Sequence, residues 1–464
     1  MAFLRRHKWE IFVLLLALAP RLLYFGIALH AHGGDVVNTS RASDGYFAIS
    51  QNILAGQGFS SDEHAPYTLN SFRPPLQPYF LAASASVFGS YWAPLALTIL
   101  MGSLMPLIGM TIAAQWFTSR RLIIATGIVL ALEPVSILFS ILFYSETLFM
   151  LFFLPSFLYL LYYFKSKRLL HLLFSAFLLG FAMMTRPTVE YLPLLYMALI
   201  IWNSRHMISA RVIGHACLYG AIFVLVISPW LYRNYREFGV VAITPQQGVN
   251  IYANLVPSVL SVANGTPFEQ EYQKIVAEGA PAPNKTAIGQ DTGSIGKALP
   301  ILLAHPKALL VTMAITESAF FTHDGVLDML KLAGFNPQGR LGKPAISLLF
   351  TDPAALGAYV AHYAATPAVL ILLMRIFWIF VTLLFCVGIW RYLRRYGPTT
   401  AFLVGFGTLG YFAGITIIIG LTVNARYRVP VEFILIPFAL YGGSGVLEWL
   451  RRKWRSHVIK PTGI

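Results

Sequence analysis

Residues 141–187 read ILFYSETLFMLFFLPSFLYLLYYF, then KSKR, then LLHLLFSAFLLGFAMMTRP. Two apolar runs, 141–164 and 169–187, flank a basic link holding Lys165, Lys167 and Arg168. About 20 apolar residues, coiled into a helix, match the thickness of a bilayer's hydrocarbon core. A short Lys/Arg-rich link between two such runs marks the cytoplasmic side. The far ends of both runs, Tyr144-Ser145-Glu146 and Thr185-Arg186-Pro187, therefore carry their charges to the opposite face.

Working outward, the same pattern fills most of the 464 residues. A first run extends from Trp9 to Leu29, behind Arg5 and Arg6; it is too long for a secretory core and is read as a retained span. Further spans are expected at 91–117, 122–139, 188–203, 211–231, 367–390, 399–422 and 430–449, ten in all. With 57% hydrophobic and 11% charged residues, against about 25% charged in soluble domains, the chain is not an ordinary soluble enzyme. The expectation is an all-α, polytopic integral membrane protein forming a single membrane domain over 1–464.

The net charge of +15 does not point to nucleic acid, because the cations sit in short links between spans. Arg120 and Arg121, Arg205 and Arg211, Arg391, Arg394 and Arg395, and the tail Arg451, Arg452, Lys453 and Arg455 all fall on the side of Lys165. Both termini are thus expected in the cytoplasm, in a cell inner membrane, with two long connections on the outer face: 31–90 and 232–366. Within the second, the apolar stretch from Ala308 to Phe321 is short and holds Glu317, so an interfacial or re-entrant segment is expected. Cys217 and Cys386 lie in apolar runs and form neither a disulfide framework nor a CxxC site.

Several familiar patterns fail. Gly405, Gly407 and Gly410 spell GxGxxG inside an apolar span, where small residues serve helix packing. His30, His32 and Asp35 cluster after the first span, but two histidines and one carboxylate on a loop do not make a metal site, and none is expected. No cofactor motif occurs.

What survives is a set of polar positions at the outer ends of spans. Ser43-Asp44-Gly45 precedes Tyr46, Phe47, Ile49, Ile53 and Leu54, whose spacing gives a short amphipathic helix on the membrane surface, ended by Gly56. Asp44 is then either the cap of that helix or a carboxylate offered to a substrate. Arg73-Pro74-Pro75 follows; Pro229-Trp230 leads into Arg233-Asn234-Tyr235; Arg426-Tyr427-Arg428-Val429-Pro430 joins the last two spans. Arg186, Arg233, Arg426 and Arg428, on the face that the positive-inside bias keeps poor in arginine, need either an anionic ligand or pairing with Glu133, Glu146, Glu190 or Glu432.

In this order the motifs resemble the polyprenyl-phosphate-dependent GT-C glycosyltransferases, in particular the protein O-mannosyltransferase-like group (glycosyltransferase family 39), to which lipid A aminoarabinose transferases are related. The resemblance runs over most of the chain, but many members carry Asp-Glu where this sequence has Asp44-Gly45. It implies a GT-C fold and a sugar transferred, with inversion, from a polyprenyl-phosphate-linked donor to an acceptor hydroxyl of a protein, glycolipid or polysaccharide on the outer face. On that reading Asp44 is the base, Glu146 its reserve, and Arg73, Arg186, Arg233, Arg426 and Arg428 hold the donor phosphate. A transporter or flippase of an anionic lipid-linked substrate would use intramembrane charges such as Arg21, Glu133 and Arg375 instead.

Overall fold

The computed structural model describes residues 7–205, 209–280, 288–289, 293–335 and 352–458. Among them every regular element is helical. Among the described residues, seven stretches are long and apolar enough to cross a bilayer: Lys8–Ala31, Trp92–Ala113, Glu146–Ser166, Ala210–Phe238, Val369–Tyr396, Thr400–Thr422 and Ala425–Trp454. Two bent helix pairs raise the number to nine if each is one crossing. The polytopic all-helical class stands, and the expected ten spans change at definite places.

The expected span 122–139 is two helices, Arg120–Ala131 and Pro134–Ser140, bent by 53°. Pro134 opens the second, and the Glu133 carboxylate accepts the Ser136 N–H at 2.5 Å, so the break is a capped helix start inside an apolar run. The expected span 188–203 shrinks because Pro187–Val189 forms a 3-10 turn and the helix proper is Leu192–Asn203. Twelve residues reach about 18 Å, well short of a ~30 Å core. The apolar stretch ending at Phe321 belongs to Pro306–Thr322, which bends by 104° from Ser294–Ala304.

Helices meet closely where side chains vanish. A Cβ on Gly388 would lie 1.9 Å from the Phe438 carbonyl oxygen, and one on Gly442 2.0 Å from that of Leu384. Val369–Tyr396 and the final helix thus touch backbone to backbone. Gly405 of the GxGxxG run likewise packs on Trp116. Intramembrane charges also tie helices together: Arg21 donates to the Ala17 and Ala131 carbonyls and to Ser136 Oγ, and Arg375 binds Asp324 through two nitrogens, at 2.6 and 3.0 Å.

The two long connections come together at one end of the bundle. Gln246 Nε2 donates to the Phe72 carbonyl and the Ile288 N–H to Ser71 Oγ, both at 2.8 Å. The helix Tyr46–Leu54 forms as its periodicity predicts, but its apolar face buries Tyr46, Phe47 and Ile49 against protein rather than lipid; Phe47 stacks on Phe143 with centroids 5.5 Å apart. Asp35 caps Val36–Ser40, and among the described residues no group of three metal-ligating side chains occurs.

Candidate active site

Asp44 is not the cap of the helix it precedes. Ser43 Oγ takes the Phe47 N–H at 3.0 Å, while Asp44 and Gly45 adopt left-handed backbone angles, φ 52° and 89°. Aspartate is one of the few side chains that tolerate this region, at a cost of order 1–3 kcal/mol. The turn aims the Asp44 carboxylate across the bundle at Arg426, whose Nη2 donates to Oδ2 at 2.5 Å.

Arg426 in turn pairs through Nε with Glu146, and Glu146 pairs with Arg186 Nη1. Each position has a local cause. Pro187 excludes helical angles for the residue before it, so Leu169–Thr185 stops and Arg186 is extended at φ −145°, ψ 131°. Glu146 is the first residue of its helix, where a carboxylate meets the positive end of the helix dipole. The Asn424 side chain accepts the Arg426 N–H at 3.0 Å and starts the 3-10 turn Ala425–Tyr427; the guanidinium then lies 4.9 Å from the Tyr144 ring centre.

Asp44, Arg426, Glu146 and Arg186 thus alternate in charge from the first loop to the last. Burial pushes the Asp44 carboxyl up, but the charges of Arg426, Arg73 and Arg186 and the bond from Arg426 outweigh it and hold it below the usual carboxylate range. It is therefore ionised at neutral pH.

Asp44, Arg73, Arg186 and Arg426 line one cavity of about 360 Å³. Arg73 lies over the Tyr46 ring at 5.3 Å, on a turn set by Asn70 Oδ1, which accepts the Phe72 and Arg73 N–H groups. Glu146 does not line this cavity but a second, smaller one of about 40 Å³, shared with Glu133 and Glu432. Two expected phosphate ligands are elsewhere. Arg233 packs 4.6 Å from the Trp230 ring centre and donates to Asn234, which holds the Ala242 and Ile243 carbonyls. Arg428 is fully buried, 3.5 Å from the Trp378 ring centre, and donates to Glu432 and to the Phe320 and His323 carbonyls. Both arginines hold structure at the edges of the site, which motif order alone did not separate from ligand contact.

The same cavity is also lined by Glu190, which the sequence offers only as a possible partner of an arginine, and by Tyr191, Gln246, Gln247, Asn250, Asn254 and Tyr411, which the motifs do not point to. Asn250 and Asn254 sit about the π-helical turn Ile251–Leu255, a local widening often found at functional sites. The polar run Thr244-Pro245-Gln246-Gln247 was the one visible signal of this wall.

Residues 72–232 match the family model described as dolichyl-phosphate-mannose-protein mannosyltransferase. Among solved structures, the crystal structure of ArnT from Cupriavidus metallidurans bound to undecaprenyl phosphate aligns over 95% of this chain and 78% of its own, at 14% identity and a TM-score of 0.39. No curated protein matches significantly. Over residues 72–232, which hold Arg73, Glu146 and Arg186, the chain is thus similar to the dolichyl-phosphate-mannose-protein mannosyltransferases, the resemblance that its motifs indicated.

Proposed function

We propose that the protein is a membrane glycosyltransferase that moves a sugar from a polyprenyl-phosphate donor to an acceptor hydroxyl on the non-cytoplasmic face. The observation that carries this reading is the alternating row Asp44, Arg426, Glu146, Arg186 at a cavity that Arg73 also lines. The acceptor oxygen attacks the anomeric carbon from the face opposite the phosphate, Asp44 takes its proton, and the bond between that carbon and the phosphate oxygen breaks. Arg186, Arg426 and Arg73 offset the charge that builds on the departing phosphate through charge-assisted hydrogen bonds. The phosphate competes with Asp44 for Arg426. Its arrival frees the carboxylate and restores the basicity that the ion pair suppresses.

Purified protein incubated with a panel of polyprenyl-phosphate sugars and hydroxyl acceptors tests this by release of polyprenyl phosphate. Release is expected with the wild type and should fall by about 100-fold or more in Asp44→Asn, the scale of one positioned base. Release that persists in both Asp44→Asn and Arg426→Ala would overturn the assignment.

A further inference from the structure

One carboxylate in the cavity takes no part in the charged row. Glu190 lines the same space as Asp44, Arg186 and Arg426, yet among the described residues no cation and no hydrogen-bond donor meets it. A half-enclosed carboxylate without a partner is costly to keep, and a ligand that supplies donors removes that cost.

Its placement is rigid. Arg186 and Glu190 flank the single turn Pro187–Val189, closed by the Glu190 N–H on the Pro187 carbonyl at 3.0 Å. That turn is anchored on its far side: the Tyr191 N–H donates to Tyr411 Oη at 3.1 Å, and Tyr191 Oη donates to Gln247 Oε1 at 2.8 Å. These bonds occupy the Gln247 carbonyl and one lone pair of the Tyr411 hydroxyl, leaving the Gln247 amide N–H groups and the Tyr411 O–H for a ligand. The wall around Glu190 is thus neutral donors and one anionic acceptor, whereas the wall around Arg186 is cationic.

We propose that Glu190, with Gln247 and Tyr411, forms the subsite that holds the hydroxyl groups of the donor's sugar. This rests on the reading above: a phosphate at Arg186 and Arg426 carries its sugar one bond away, and Glu190 leaves the same short turn as Arg186. The carboxylate accepts from the sugar hydroxyls, and the amide and phenol complete the set. Glu190 is a specificity residue, separate from the base.

The test compares binding of undecaprenyl phosphate with that of the same lipid bearing mannose, glucose or aminoarabinose, on the full chain in nanodiscs. At least one sugar is expected to tighten binding to the wild type by about tenfold or more, the worth of a charged hydrogen bond. Glu190→Gln, which keeps size and polarity, should lose most of that gain, and Glu190→Ala all of it. Affinity for the bare lipid should stay within about twofold in both, because its phosphate is held by the arginines. A gain that survives in Glu190→Ala, or no gain from any of the sugars, overturns the subsite. Failure of the wild type to bind bare undecaprenyl phosphate instead overturns the proposed function, so the two failures are distinguishable.

Discussion

At the scale of single residues, the site is two carboxylates sharing guanidinium groups: Asp44 and Glu146 both pair with Arg426, and Glu146 also with Arg186. Asp44→Asn keeps a side chain that tolerates left-handed angles and removes one charge, so the protein should express and fold while transfer falls. The same variant gives a pH signature. Asp44 titrates below its unfolded value, so its pairing contributes stability above about pH 4 that is lost as pH falls through the lower folded value. Unfolding curves should therefore show a difference between wild type and Asp44→Asn that is constant from about pH 5 to 8 and shrinks in acid. Arg428 predicts the opposite pattern. Its removal leaves Glu432 and two carbonyls buried without a partner, so Arg428→Ala should cost about 3–5 kcal/mol in thermal unfolding. Lysine should rescue it only in part, because an ammonium cannot stack on Trp378 and reach both carbonyls as a planar fork does.

At the scale of elements, the site is built where helices stop rather than where they run. Pro187, Pro134 and Gly420 each break an apolar stretch, and two of these breaks, at Pro187 and Gly420, border the cavity. Gly420 has φ 59° and ψ −140°, and a Cβ there would fall 2.2 Å from Ser258 Oγ. That hydroxyl donates to the Asn254 carbonyl and accepts the Leu421 N–H, linking the π-helical segment to the turn before Arg426. Gly420→Ala should therefore lose about 1–3 kcal/mol from strain and crowding, measured by thermal unfolding. It should also weaken binding of undecaprenyl phosphate, whereas Gly410→Ala, with open space around its Cβ, should do neither.

For the whole molecule, the hydrogen bonds from Gln246 to Phe72 and from Ile288 to Ser71 put the two long connections at one end of the bundle. In the proposed orientation the basic links put the other end in the cytoplasm. With Cys217 and Cys386 replaced by serine, a cysteine at Glu278 should react in intact cells with a thiol reagent that cannot cross the membrane, and one at Ser166 should not. Both positions are exposed, so the contrast reads sidedness alone; the reverse pattern would invert the orientation.

Composition and periodicity by themselves determined the all-helical membrane class, because water and lipid act on every residue of an apolar run alike and the sum over 20 of them is decisive. They also brought Asp44, Arg73, Glu146, Arg186 and Arg426 into view, as charges at span ends whose burial demands partners. The span expected at 122–139 runs through the break at Glu133-Pro134, and those expected at 169–187 and 188–203 overrun the one at Arg186-Pro187, because hydropathy averages across a proline that the backbone cannot ignore. Only the tertiary structure separated the arginines by place: Arg426 and Arg428 are two residues apart in one motif, yet one faces the cavity and the other Trp378. It alone also placed Glu190, since a carboxylate is distinguished by what fails to meet it, and that depends on helices 60 and 221 positions away, at Asn250 and Tyr411.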